Sequence, residues 1–303
     1  MPRSGNIWKN VISIGNLPCS KGGMSEMKTN HLLICLIVLF VAGALIRPSY
    51  GRIDPRTVFA LWLFDQEGAG TEEDVSGNGN DGEILGDPDW TEGKFGSALE
   101  FDGIDDYVDC DDRDSLDVGT DNFSIVVWIK CADYIPDQWE GQIVSKLHET
   151  APRHGYLLGV RGALDAAQQT KPVFRFGLAT DVSVHMFGTS PINDDVWHHL
   201  AVTVDRDGSM ILYRDGEVES QMSIAGQSNE NEDNDHKFRI GRHDQHGGFY
   251  KGLIDELALF RTVLDQGDIQ RIMEDGLERS LALPAVLPLG KLPIAWGQIK
   301  EIQ

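Results

Sequence analysis

Positive charge is in short supply: 26 Lys and Arg stand against 48 Asp and Glu, a formal net charge of −22 over 303 residues. Such a surface repels phosphate backbones, which excludes nucleic acid as a partner. Several catalytic signatures are missing as well. No E-x-D-x-x-E run places paired carboxylates on alternate positions of a strand, as polysaccharide hydrolysis on a sheet requires. The nine histidines show neither H-E-x-x-H nor another zinc spacing, and there is no G-x-S-x-G and no phosphate-binding glycine loop. Long apolar runs are also lacking. The one candidate, Leu32 to Ile46, falls short of the about 20 residues that cross a bilayer. What remains, 41% apolar and 24% charged residues with 33 Gly, describes a globular, turn-rich chain.

That apolar run has a different use. Lys28 precedes it and Ser49-Tyr50-Gly51 follows, so a basic start, an apolar centre and small residues at −3 and −1 predict a secretory leader over 27–51. An uncleaved N-terminal anchor is the alternative. Residues 1–26 read as an extension upstream of the true start at Met27. Export removes two of the four cysteines and leaves Cys110 and Cys131, 21 apart at the ends of consecutive strand-like runs. In an oxidising compartment these can form a disulfide; two separate thiols are the other reading. The product is expected outside the cytoplasm, secreted or in the cell envelope, with no membrane association after cleavage.

The mature chain, 52–277, alternates in the period of strands. Val58 to Phe64 is an apolar run, and Asp74 to Gly82 (DVSGNGNDG) is a dense cluster of turn formers. The latter echoes the start of a calcium loop, but its twelfth position is Leu85, so an EF-hand is not supported. Phe123, Ile125, Val127 and Ile129 alternate with Ser124, Val126, Trp128 and Lys130. His198, Leu200, Val202 and Val204 share one strand face. Asp207-Gly208 and Asp215-Gly216 then supply two reversals, which predicts a β-meander. Asp265 to Asp275 predicts the one helix, capped by Asp265, striped by Ile269, Ile272 and Met273, and ended by Gly276. The Pro-containing tail, 278–303, is too short to be a domain.

Trp197, His199, Leu200 and Ala201, then Leu212, Tyr213, Asp215 and Gly216, resemble the W-x-H-[VL]-A … L-Y-x-D-G pattern of laminin-G-like (concanavalin A-like) jelly-roll domains. Gly96 to Val108 (GSALEFDGIDDYV) and Gly252 to Phe260 (GLIDELALF) are similar to two further motifs of that family, in the family's order. The resemblance spans roughly residues 57–277 and implies an all-β fold, a two-sheet antiparallel jelly-roll sandwich with one short C-terminal helix. It also implies a structural calcium supported by the aspartate of the closing strand. That nominates Asp255, which breaks the apolar face of Leu253, Leu257 and Leu259, with Asp65 and Asp102 as co-ligands. Asp102, Asp105 and Asp106 also crowd carboxylates on their own account.

Ligand-binding residues are expected where loops ride on the rigid sandwich. Tyr134, Trp139 and Arg153 lie in the loop-rich stretch after Cys131, and exposed Tyr and Trp rings can stack on sugar faces. The alternative is that Trp139 packs beneath its own loop. His199 reads as a packed or capping residue, not as a base. The function expected is a non-catalytic module that binds a glycan or an extracellular protein. An extracellular polysaccharide hydrolase or lyase and a structural envelope protein are the alternatives.

Overall fold

The computed structural model describes residues 53–68, 70–131, 139–178, 183–226, 230–243 and 247–283. The leader and the extension before it, Tyr134, and the tail from residue 284 lie outside the described residues.

Two antiparallel sheets face each other. The first is built around β7 (Phe123–Lys130), which pairs on one side with β12 (Trp197–Val204) and on the other with β16 (Lys251–Phe260). Beyond β12 come β13 (Ser209–Arg214) and β14 (Glu217–Ser223), the meander expected from the alternation. Beyond β16 come β5 (Ser97–Asp102) and β4 (Asp89–Glu92), while β1 (Val58–Trp62) pairs with the far end of β16. The second sheet runs, in spatial order, β11 (Val184–Phe187), β10 (Pro172–Phe176), β9 (Gly155–Arg161), β8 (Glu140–Leu147), β15 (Arg239–Ile240), β6 (Tyr107–Asp109), β3 (Gly82–Leu85) and β2 (Thr71–Glu72).

Every second residue fills the space between the sheets. Phe123, Ile125, Val127 and Ile129 of β7 meet Tyr156, Leu158, Phe174 and Phe176 of the second sheet. The ring of Phe123 lies 5.5 Å from that of Tyr156 and 5.7 Å from that of Phe176, while Trp62 stacks on Phe238 at 5.2 Å. The turn after β1 is stitched to that strand by one carboxylate. Asp74 accepts from the Leu61, Ser76 and Asn80 amides and from the Asn80 side chain, so its oxygens are spent on N–H groups and the loop is structural.

A smaller core lies outside the first sheet, where Val126, Ala201, Ala258 and Phe260 are covered by α1 (Gln266–Leu281). Asp265 caps this helix by accepting from the Asp268 amide at 2.8 Å, and Ile269 and Ile272 are buried as the stripe predicts. The first helical stretch ends at Gly276 as expected, but a second follows it into the stretch expected to be tail. Gly276 breaks the winding at φ 76°, and the chain resumes helix through Leu281 because Glu256 of β16 caps the new start at the Leu277 amide.

Three further expectations are corrected. The first reversal of the meander is not an Asp-Gly turn of positive φ. Asp207 and Gly208 keep ordinary backbone angles, and the Asp205 carbonyl accepts from the Gly208 amide; only Asp215 (φ 52°) and Gly216 (φ 78°) use that region. A bulge in β16 between Asp255 and Ala258 inserts an extra residue and puts Glu256 at φ 52°. Leu257 and Leu259 therefore point inward with Ile254, and Asp255 does not share their face. The expected disulfide is not formed. Cys110, against Gly82 at the end of β6, and Cys131, at the end of β7, are separate buried thiols.

Candidate binding site

Arg161 ends β9 and Arg175 lies mid-β10, each between inward-facing neighbours: Val160 beside Arg161, and Phe174 and Phe176 either side of Arg175. Alternation therefore sends both guanidiniums to the outer face of the second sheet. They meet Glu140, the first residue of β8. The Arg161 Nη1 donates to one oxygen of Glu140 at 2.9 Å and the Arg175 Nη1 to the other at 2.6 Å. Glu149, from the loop after β8, closes on Arg175 with both oxygens at 2.5 and 2.7 Å, and Asp165 accepts from the Nε and Nη2 of Arg161. His185 on β11 shares a hydrogen bond with Ser183 at 2.9 Å. Burial, and then the neighbouring Arg175, push the His185 pKa down, so the ring stays neutral at neutral pH.

Glu140, Arg161 and Arg175 are almost wholly buried, yet they floor an open cleft of ≈ 490 Å³. Trp139 stands at its rim 59% exposed, with Leu164 beside it at 50%. The Arg161 guanidinium lies 5.7 Å from the Trp139 ring and 5.6 Å from the Phe187 ring, so its flat faces are occupied while its edge is held by carboxylates. The buried Gln142 Oε1 and Arg175 Nε in this cleft make no hydrogen bond, and His243 lines it beside Glu149, its Nε2 3.7 Å from a Glu149 oxygen. A polar floor beneath an exposed indole can hold a ligand that is flat on one side and polar at its edge.

Of the three expected ligand-binding residues, Trp139 lines the cleft, Arg153 does not, and Tyr134 is outside the described residues. Arg153 belongs to the loop after the Ala151-Pro152 bond, where its carbonyl accepts from the Leu178 amide. The sequence reading passed over Glu140, Gln142, Glu149, Arg161, Arg175 and His185. A signal was present: Arg175 interrupts the apolar run Val173-Phe174-Arg175-Phe176, as Asp255 interrupts its own.

The three nominated calcium ligands do not converge. Asp65 accepts from the Ser97 amide, and Asp255 from the Lys94 and Phe95 amides, so both clamp the turn between β4 and β5. Asp102 lies at the other end of β5, opposite Lys251. Asp255 is fully buried with its Oδ1 unpartnered, and burial pushes its pKa up to about 9. The carboxylates of Asp102, Asp105 and Asp106 do converge, with ligand atoms all within 4.8 Å of one another. His199 is buried against Trp128 at 5.2 Å with neither ring nitrogen bonded, and burial lowers its pKa to about 3. Trp128 itself lies outside the inter-sheet core, beneath Lys94 and Phe95 of the same turn. His198, by contrast, is held between Asp215 at 2.8 Å and Asp194 at 3.1 Å.

No curated protein is matched by this sequence. Among solved structures, the chain is similar to the binding domain of Paraclostridial Mosquitocidal Protein 1, with a TM-score of 0.58 and 14% identity over 72% of this chain and 52% of that one. It is similar to the binding domain of botulinum neurotoxin DC in complex with rat synaptotagmin II (TM-score 0.56, 12% identity, 74% of this chain and 53% of that one). It is also similar to domain 4 of AbnA, a GH43 extracellular arabinanase from Geobacillus stearothermophilus, in complex with arabinotriose. There the TM-score is 0.51, with 18% identity over 72% of this chain and 98% of that one. The chain spans about half the length of the toxin domains it matches. At these identities the likeness is one of fold. The family described as the concanavalin A-like lectin/glucanases superfamily matches residues 102–270, more than half of the sequence, and the chain belongs to that superfamily.

Proposed function

We propose that the chain is an exported, non-catalytic module that binds glycan in the cleft beside Trp139. The observation that carries this reading is the pairing of a 59% exposed indole with a buried, interlocked floor of Glu140, Arg161 and Arg175. Binding roles in the structural neighbours support it, among them the domain seen with arabinotriose. The leader-like segment supports export. Among the described residues no helix is long and apolar enough to cross a membrane.

Glu140 and Glu149 both reach the Nη1 of Arg175, which brings their oxygens within about 5 Å, the separation of a retaining glycosidase pair. One carboxyl of such a pair must carry a proton to give to the leaving group. Here both carboxylates accept from a guanidinium, an arrangement that serves binding better than acid catalysis. Release of products from a polysaccharide panel would overturn the non-catalytic part of the reading.

Trp139→Ala is expected to weaken binding on a glycan array by about tenfold or more, the worth of one well-placed aromatic face. The Tm should stay within about 1 °C of wild type, because the exposed ring contributes little burial. Unchanged affinity in this variant would place the binding site elsewhere.

Calcium is proposed at Asp102, Asp105 and Asp106, where burial and then the neighbouring carboxylates push the Asp106 pKa up to about 6. A divalent cation would relieve that repulsion. Millimolar calcium is expected to raise the Tm by about 3 °C or more over EDTA; identical melts would remove the proposal.

A further inference from the structure

We propose, resting on the glycan reading above, that the cleft beside Trp139 takes an N-acetylated sugar and that the acetamido group of that sugar bridges Gln142 and Arg161.

Among the described residues six large apolar side chains are exposed, and two of them, Trp139 and Leu164, stand at this one rim. The Trp139 carbonyl accepts from the Gly162 amide at 2.8 Å, which ties the indole to the segment that carries Leu164. An indole takes the C–H face of a sugar ring. Leu164 is further apolar surface, set where a substituent of that ring would lie. A hydroxyl gains nothing there, whereas an acetyl methyl leaves water for it.

The floor holds one acceptor and several donors that nothing uses. Arg161 gives Nε and Nη2 to Asp165 and Nη1 to Glu140; with five N–H in all, each Nη keeps one. Gln142 lines the cleft at 5% exposure, and its Oε1 accepts no hydrogen bond. Two glycines frame it. Gly159 faces it across β9, and Gly248 closes over it where any side chain would press on the amide. The last torsion of a glutamine is soft, so a turn of the amide brings Oε1 round to the cleft. Gln142 and Arg161 are diagonal neighbours, since Arg161 faces Glu140 two residues along β8. Such neighbours lie about 7–8 Å apart, about the reach of one amide with a hydrogen bond of about 2.9 Å at each end.

A trans amide carries its N–H and its C=O on opposite sides. The acetamido N–H therefore donates to the Gln142 Oε1 while the carbonyl accepts from an Arg161 Nη. A hydroxyl in the same place is a single oxygen and reaches one of the two. Two guanidiniums and two carboxylates line the cleft, so the group they meet need carry no charge.

The test titrates the full mature chain in a calorimeter with paired oligosaccharides, each acetamido sugar beside its 2-hydroxy counterpart: N-acetylglucosamine and glucose, N-acetylgalactosamine and galactose, N-acetylmannosamine and mannose. At least one acetamido oligomer is expected to bind about tenfold or more tighter than its counterpart, and to lose about tenfold or more in Trp139→Ala. Gln142→Met should erase the preference, bringing the acetamido oligomer to the level of its counterpart. Its Tm should equal or exceed that of wild type, because an apolar chain of like length replaces a buried amide oxygen without a hydrogen bond. Equal affinity within every pair, or a preference that survives Gln142→Met, would overturn the acetamido assignment; binding that is still lost in Trp139→Ala would leave the glycan reading intact. Absence of binding to all six would also overturn the assignment. Arabinan and polygalacturonate oligomers then decide the wider reading: binding lost in Trp139→Ala keeps it, and no binding overturns both.

Discussion

Arg175→Ala is expected to lower the Tm by about 10 °C and to abolish ligand binding. The guanidinium bridges Glu140 and Glu149, and it holds them at 2.5 to 2.7 Å in a setting where Glu140 is 4% exposed. Its removal leaves Glu140 with Arg161 alone and takes from Glu149 the guanidinium that both of its oxygens grip. Leaving a buried charge without its partner costs about 3–5 kcal/mol, and for a domain of this size each kcal/mol is worth about 2–4 °C. The cause is separable from lost packing. A triple variant, Arg175→Met with Glu140→Gln and Glu149→Gln, removes the charges together and should recover most of the Tm without restoring binding. Thermal melts of the single and triple variants decide it: an Arg175→Ala protein that melts with wild type would mean the carboxylates are solvated after all.

The sequence carried the sandwich far more clearly than the cleft, and the reason is physical. Alternation in Phe123 to Lys130 and in His198 to Val204 reports which residues face the inter-sheet core, and the register of β7 against β12 follows from it residue by residue. The bulge in β16 is invisible to that pattern. One inserted residue at Glu256 moves Leu257 and Leu259 to the opposite face from the one that simple counting gives. Asp255 stood out as a charge in an apolar run, but what it meets was set by the turn between β4 and β5, some 160 residues away in the chain. The same holds for the cleft. Glu140, Arg161 and Arg175 sit on three strands, and only the pairing of β8, β9 and β10 makes them neighbours. Trp139 was legible because an aromatic in a loop needs no pairing to be noticed. Whether it was exposed or tucked beneath its own loop depended on the strand that starts immediately after it.

Between pH 6.5 and 8.5 the Tm is expected to fall by about 5 °C. Glu72 is buried, with one oxygen accepting from the Phe64 amide and the other unpartnered, and burial pushes its pKa from the ordinary 4.5 up to about 8. Glu232, accepting from the Gly155 amide and 3.9 Å from Arg206, is pushed by burial up to about 7. The folded chain therefore keeps protons that the unfolded chain releases above 4.5. The stability they contribute is complete below that value and is lost as pH rises through 7 and then 8. His198 adds to the trend: its hydrogen bond to Asp215 raises its pKa, and that clamp weakens as the ring loses its proton. His199 acts in the opposite sense and in a different window. Burial depresses its pKa to about 3, so below 6.5 the unfolded chain takes up a proton that the folded ring refuses. Its contribution declines on the acid side and there opposes the gain from the two glutamates. At about 1.4 kcal/mol per pKa unit, the two glutamates together account for about 2 kcal/mol across the alkaline window, hence the size of the shift. Glu72→Gln with Glu232→Gln should lessen the fall of Tm above pH 6.5 without removing it, since buried Asp255 and Glu256 are pushed up to about 9 and about 7 in the same sense, while leaving the His199 contribution on the acid side in place. A wild-type Tm that rises between pH 6.5 and 8.5 would mean that these carboxylates are ionised in the folded chain and paired with something other than the groups that surround them here.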